Sequence, residues 1–230
     1  MFTKVNNKVV SVNLAQAGPI VARRGAMLFY TGNVLFQPHQ IPGSGGMGAM
    51  SGMVGMAGRM MQGEHETTMI AQGDGTVHYG FRGLEVEIVD LSGGGELRVE
   101  ASRLLAHTQG LQASVVSTSA QSGGGGGGLR GALRSAASGV ATGQGMFTTQ
   151  LIGMGSAVIL GHGGFIALQV APNRPITVDP QAFAASVGQI QTSLRSTVSF
   201  RNMGRTGGEG FQLDCTGQGV VYVQASEQRL

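Results

Sequence analysis

One phrase recurs three times along the chain, and a chain that repeats itself at this spacing folds into units that bury their apolar faces against one another. The first copy reads Ile20-Val-Ala-Arg-Arg-Gly-Ala-Met-Leu-Phe-Tyr-Thr-Gly-Asn-Val34 and follows an alternating strand, Val9 to Leu14. The second is Leu97-Arg-Val-Glu-Ala-Ser-Arg-Leu-Leu-Ala-His-Thr-Gln-Gly-Leu111, after Leu84 to Val89. The third is Ile176-Thr-Val-Asp-Pro-Gln-Ala-Phe-Ala-Ala-Ser-Val-Gly-Gln-Ile190, after Phe165 to Val170. They align without a gap, so that Ile20, Leu97 and Ile176 correspond, as do Met27, Leu104 and Phe183.

Each copy closes on a Gly-x-Gly step read as leading into a strand: Gly73-Asp-Gly75 before Thr76 to Tyr79, Gly153-Met-Gly155 before Ala157 to Leu160, and Gly217-Gln-Gly219 before Val220 to Val223. Glycines there supply a positive φ or a bulge, whereas a phosphate loop would need a helix next. Segments such as Leu84-Glu-Val-Glu-Ile and Leu97-Arg-Val-Glu-Ala alternate apolar with charged residues, the pattern of an antiparallel sheet with one wet face, and no crossover helices lie between them. The expected fold is all-β: one domain over residues 1–230, made of three tandem repeats (about 1–80, 81–162 and 163–230) in a pseudo-threefold body. Insertions are expected at the same place in each copy, at residues 35–66, 118–146 and 200–210. The glycine run Gly123 to Gly128 reads as a flexible linker, with disorder expected around 121–128, and Leu129 to Leu133 as a helical turn.

Composition fits this reading: 41 of the 230 residues are glycine and only 12% are charged, against usual shares of about 7% and 25%. The net charge of +3 is scattered, so the clustered basic footprint of a nucleic-acid binder is absent. Cys215 is the single cysteine, which precludes an internal disulfide and suits a reducing, cytoplasmic setting. The segment Met1 to Lys8 has no apolar signal core, and no stretch approaches the roughly 18 uninterrupted apolar residues of a membrane span.

Catalytic and metal patterns fail one by one. The five histidines (His39, His65, His78, His107 and His162) show no ligand spacing. His65 between Glu64 and Glu66 reads as a solvated loop, and His78 as an ordinary strand residue. Cys215 has neither a local histidine nor a helix start to lower its pKa and reads as a small buried hydrophobe. A formal Gly-x-Gly-x-x-Gly at Gly43, Gly45 and Gly48 lacks the preceding strand, which Pro38 and Pro42 spoil. No catalytic residue, metal ligand or cofactor is expected. The candidate contact surface is the methionine-rich insertion, with Met47, Met50, Met53, Val54, Met56, Met60 and Met61. Thioether side chains make an adaptable surface for a partner or a membrane face, and Gly48 and Gly52 add a small-xxx-small pattern for close helix approach; a loop covering its own sheet is the plain alternative.

The sequence resembles the AIM24 family of bacterial and mitochondrial proteins. The resemblance rests on Val21-Ala-Arg-Arg-Gly-Ala-Met-Leu-Phe-Tyr-Thr-Gly32, Gly63-Glu64, Met146-Phe-Thr-Thr149, Ile176-Thr-Val-Asp-Pro180, Gly207-Gly-Glu-Gly-Phe211 and Gly217-Gln-Gly-Val-Val-Tyr-Val-Gln224, and it covers nearly the whole chain outside the two long insertions. It implies a TRAP-like fold, a short variant of the double-stranded β-helix, triplicated in the chain and assembled as a homotrimer or a multiple of three. It carries no catalytic motif. The function it implies is a non-catalytic oligomeric scaffold linked to membrane organisation or stress, with an unnamed protein partner or a peripheral membrane contact. Alternatives from other classes are an RNA-binding ring, by fold analogy alone, and a small-ligand binder or enzyme in the clefts between repeats. The RNA reading is disfavoured because the chain has no Trp and only three Tyr to stack bases on.

Overall fold

A computed structural model of the chain describes residues 1–39, 68–117, 147–196 and 211–227. They form an all-β protein of fifteen strands: β1 (Phe2–Asn6), β2 (Val9–Asn13), β3 (Ile20–Arg23), β4 (Met27–His39), β5 (Thr68–Tyr79), β6 (Glu85–Asp90), β7 (Gly95–Glu100), β8 (Leu104–Thr108), β9 (Leu111–Ser117), β10 (Phe147–Gly153), β11 (Ser156–Gly161), β12 (Phe165–Val170), β13 (Ile176–Val178), β14 (Phe183–Ser196) and β15 (Phe211–Gln224). Helix is limited to α1 (Leu14–Ala17) and a 3-10 turn at Ala101–Arg103. The strand expected over Val9 to Leu14 therefore ends one residue early. The Asn13 side chain accepts from the Gln16 N–H and caps α1, the usual use of asparagine at a helix start.

Two antiparallel sheets result. The first runs β1-β2-β5-β3-β8-β11-β6, with β4 also on β5. Because β2 and β3 take opposite halves of one edge of β5 while β4 pairs along its whole length, β4 lies on the other edge. The ends of this sheet approach each other: Val86 N–H donates to Asn7 O at 2.8 Å and Lys4 pairs with Glu87 at 2.5 Å, so the sheet is nearly a barrel. The second sheet runs β12-β15-β14-β7-β10-β9, with β13 also on β15. Where residues alternate along a strand, the faces sort as expected: Leu97 and Val99 of β7 are buried and Glu96 and Arg98 less so.

The long hairpin-like ladders share a detail. β4 on β5, β8 on β11 and β14 on β15 each skip one residue at the start of the ladder, between Met27 and Phe29, between Leu104 and Ala106, and between Phe183 and Ala185. The Gly-x-Gly steps differ from expectation. Gly73 and Gly217 stand inside the continuous strands β5 and β15, and only Gly153 and Gly155 bound a break, between β10 and β11. Gly73 faces Val34 across the ladder at φ 126°, and a Cβ there would lie 2.3 Å from Asn33 O. Glycine thus lets the ladder continue where any side chain would strike the neighbouring backbone. The insertion expected to begin at residue 35 begins later, since β4 runs to His39.

Three apolar clusters form the core. One gathers Val10, Val12, Leu14, Ile20, Val77 and Tyr79 with Leu105, Val158 and Leu160. A second gathers Val89, Leu91, Leu97, Val99, Leu104, Leu151 and Ile159 with Ala185. The third draws only on residues from Val170 to Val223, including Val178, Phe183 and Cys215. β11 is the wall between the first two: Val158 and Leu160 face one, Ala157 and Ile159 the other, and every residue of the strand is buried.

Candidate functional site

Enclosed space is scarce. Where β3 meets β8, Arg23, Thr68, His107 and Thr149 line a cavity of about 20 Å³, room for a single water. His107 is buried, and its Nδ1 lies 2.9 Å from Thr108 O. A carbonyl can only accept, so Nδ1 carries the proton and Nε2 keeps a lone pair that has no hydrogen-bond partner among the described residues. Burial lowers the pKa of this imidazole to about 4, opposed by the bond to Thr108 and helped slightly by His39. At neutral pH it is an uncharged ring beside a water-sized space, which suits a structural water and leaves no room for a substrate.

The same seam holds a buried guanidinium. Arg23 donates through Nε to Leu104 O at 3.2 Å and through Nη2 to Ala101 O at 3.3 Å and Ser102 O at 2.5 Å, and it lies 4.9 Å over the Phe81 ring. Farther along, buried Arg103 donates to Gln181 O at 3.2 Å and to the Gln224 side chain, with Glu100 3.6 Å away. These arginines pin one stretch of chain to the turn of the next; neither opens onto a cleft.

Of the expected residues, Cys215 is fully buried within β15, and burial together with Asp214 pushes its thiol up to about 11. His39 closes β4 against Thr68, with Nδ1 3.0 Å from Thr68 Oγ1, and His78 stacks on Phe29. His162 donates its backbone N–H to Gln224. Among the described residues no group of three His, Cys, Asp or Glu could hold a metal ion, and no helix is long and apolar enough to cross a membrane. The methionine-rich candidate surface (Met47, Met50, Met53, Val54, Met56, Met60 and Met61) and His65 lie outside the described residues.

What stands out is the first half of β4. Met27, Leu28, Phe29 and Tyr30 are 39, 52, 53 and 45% exposed, and Leu35 follows at 59%. Beyond β5, no described strand pairs with β4. A free edge carrying large apolar side chains is a template for another chain unless something covers it. The sequence held a signal for this surface in the unbroken run Met27-Leu-Phe-Tyr30, but the alignment treated it as core.

The fold recurs in solved structures, seven of which match. One is the crystal structure of protein SPYM3_0169 from Streptococcus pyogenes, which is 17% identical with a TM-score of 0.64 over 98% of this chain and 92% of that one. At that identity the likeness speaks for the fold alone. No curated protein matches the sequence. The family described as mitochondrial biogenesis AIM24 matches residues 2–226, a span that includes both buried arginines, the exposed edge of β4 and all three clusters. The chain belongs to the AIM24 family.

Proposed function

We propose that the chain is a non-catalytic scaffold made of three copies of one β unit, completed by association with further copies of itself. The observation that carries this reading is the contrast between its spaces and its surfaces. Its one enclosed seam admits a single water, while its largest apolar exposure lies along an unpaired strand edge. Binding without chemistry is what such a surface can do.

Strand registers support the threefold reading. In the stretch 1–80, β2, β3 and β4 all pair with β5. In 81–162, β6 and β8 pair with β11, and β7 and β9 with β10. In 163–230, β12, β13 and β14 all pair with β15. The pairs Ile20↔Ala71, Leu97↔Leu151 and Ile176↔Cys215 are equivalent under the sequence alignment, and so are Val34↔Gly73, Leu111↔Gly153 and Ile190↔Gly217. This pattern is what a TRAP-like unit, triplicated in one chain, would produce. A trimer or a multiple of three is the corresponding assembly, and the buried free thiol of Cys215 suits a cytoplasmic setting.

Native mass spectrometry on gently purified protein tests the proposal. The scaffold reading requires an oligomer that retains no nucleotide, metal or RNA. A chain that stays monomeric at micromolar concentration, or an assembly that carries such a ligand, overturns it.

A further inference from the structure

The chain makes the same joint twice. β3 pairs with β8 through Ile20↔Thr108, Val21↔His107 and Ala22↔Ala106. β7 pairs with β14 through Leu97↔Val187, Arg98↔Ser186 and Val99↔Ala185. Under the alignment that matches Ile20 with Leu97 and Thr108 with Val187, these are one register repeated. The strand in the third stretch that corresponds to β3 and β7 is β13, and the strand in the first stretch that corresponds to β8 and β14 is β4. Each is left over: β13 pairs only with β15 and β4 only with β5.

We infer that β13 of one copy pairs with β4 of a second copy of this chain, head to tail, in the register Ile176↔Thr31, Thr177↔Tyr30 and Val178↔Phe29. The inference rests on the scaffold reading above and names the surfaces through which it assembles.

Exposure argues for the occupant. At the two joints made within the chain, the residues corresponding to Met27–Tyr30 are Leu104–His107 and Phe183–Ser186, none more than 9% exposed. The first stretch carries the bulkiest set of the three, Met-Leu-Phe-Tyr, and alone leaves it in water. The third cluster has the complementary deficit. Ile176 is half-buried where its counterparts Ile20 and Leu97 are 0% exposed, because no following unit packs on that side. Charge is complementary too: Asp179 follows β13, and exposed Arg24 sits in the turn before β4. At both internal joints that turn offers a carbonyl to a buried arginine, Ser102 O to Arg23 and Gln181 O to Arg103; the corresponding carbonyl of the free turn belongs to Gly25. Because the two surfaces differ, the contact is heterologous and propagates until it closes.

Cysteine pairs test the register. Residues directly opposite in an antiparallel ladder lie within disulfide reach, and Cys215 is buried and silent. A mixture of Tyr30→Cys and Thr177→Cys chains under mild oxidation is expected to give a covalent dimer that neither variant gives alone. In parallel, Phe29→Lys, an exposed substitution, is expected to shift native mass spectra toward monomer with an unchanged β-sheet circular dichroism spectrum. An oligomer that forms no mixed disulfide and is indifferent to Phe29→Lys would overturn the β4–β13 joint and leave the scaffold standing. A wild-type chain that is monomeric removes both.

Discussion

Phe29 lies flat on His78, directly across the β4–β5 ladder, with ring centroids 4.0 Å apart and planes 14° from parallel. The contact fixes an exposed phenylalanine against the sheet, so the edge of β4 presents a set surface. A double-mutant cycle with Phe29→Ala and His78→Ala, read by urea unfolding, is expected to give a coupling of about 0.5–1.5 kcal/mol.

His107 makes stability depend on acid. Its folded pKa of about 4 lies below the usual 6.5, so the unfolded chain binds more protons between those values. The contribution is fully present above pH 6.5 and is lost as pH falls through 4. From pH 7 to pH 5 it removes about 2 kcal/mol. Unfolding free energies of the wild type and of His107→Leu at the two pH values check this; the variant is expected to lose that part of the slope.

Removing the Arg23 guanidinium leaves three buried carbonyls without their donor. Arg23→Met is expected to cost about 3 kcal/mol, read as a lower urea midpoint. Arg23→Lys is expected to recover little of it, since a single ammonium cannot span three carbonyls as the planar fork does.

Gly25 and Gly73 separate two causes of glycine dependence. Both have a positive φ, 80° and 126°, but a Cβ at Gly25 meets nothing within 4 Å while one at Gly73 would meet Asn33 O at 2.3 Å. Gly25→Ala is expected to cost about 1–2 kcal/mol, the conformational penalty alone. Gly73→Ala adds a backbone clash and is expected to cost at least twice as much in the same denaturation series.

The Cys215 thiol, buried and pushed up to about 11, is expected to resist a thiol-specific reagent in the folded chain at pH 8 and to react fully in 6 M guanidinium, on the order of a hundredfold faster.

How much of this was legible follows from what each residue answers to. Inward and outward positions along β7 could be read from Leu97-Arg-Val-Glu because alternation is a local property of a strand. The fate of Leu28 could not. Leu105 holds the same residue type at the corresponding position and is fully buried, while Leu28 is half in water, and the difference lies in which strand stands alongside. Arg23 and His107 gave no signal for a similar reason: an arginine beside Arg24 and a lone histidine look like surface until a second stretch of chain folds over them. The Gly-x-Gly steps were visible, but their place inside β5 and β15 depends on partners tens of residues away. The candidate site was sought among the methionines, the most unusual composition, while the exposed edge was hidden in a segment whose own pattern resembles core.

At Gly153–Gly155 the backbone leaves one sheet, as β10, and enters the other, as β11. Each core therefore owns a strand threaded through the same three residues, and neither can be peeled away without drawing on the other. No cut between sheets would release an independent module, so a nick, an insertion or a foreign graft at this crossing would be felt by the whole body at once, whereas the segments joining β4 to β5 and β14 to β15 connect neighbours within one sheet and leave natural places for evolution to lengthen or rewrite.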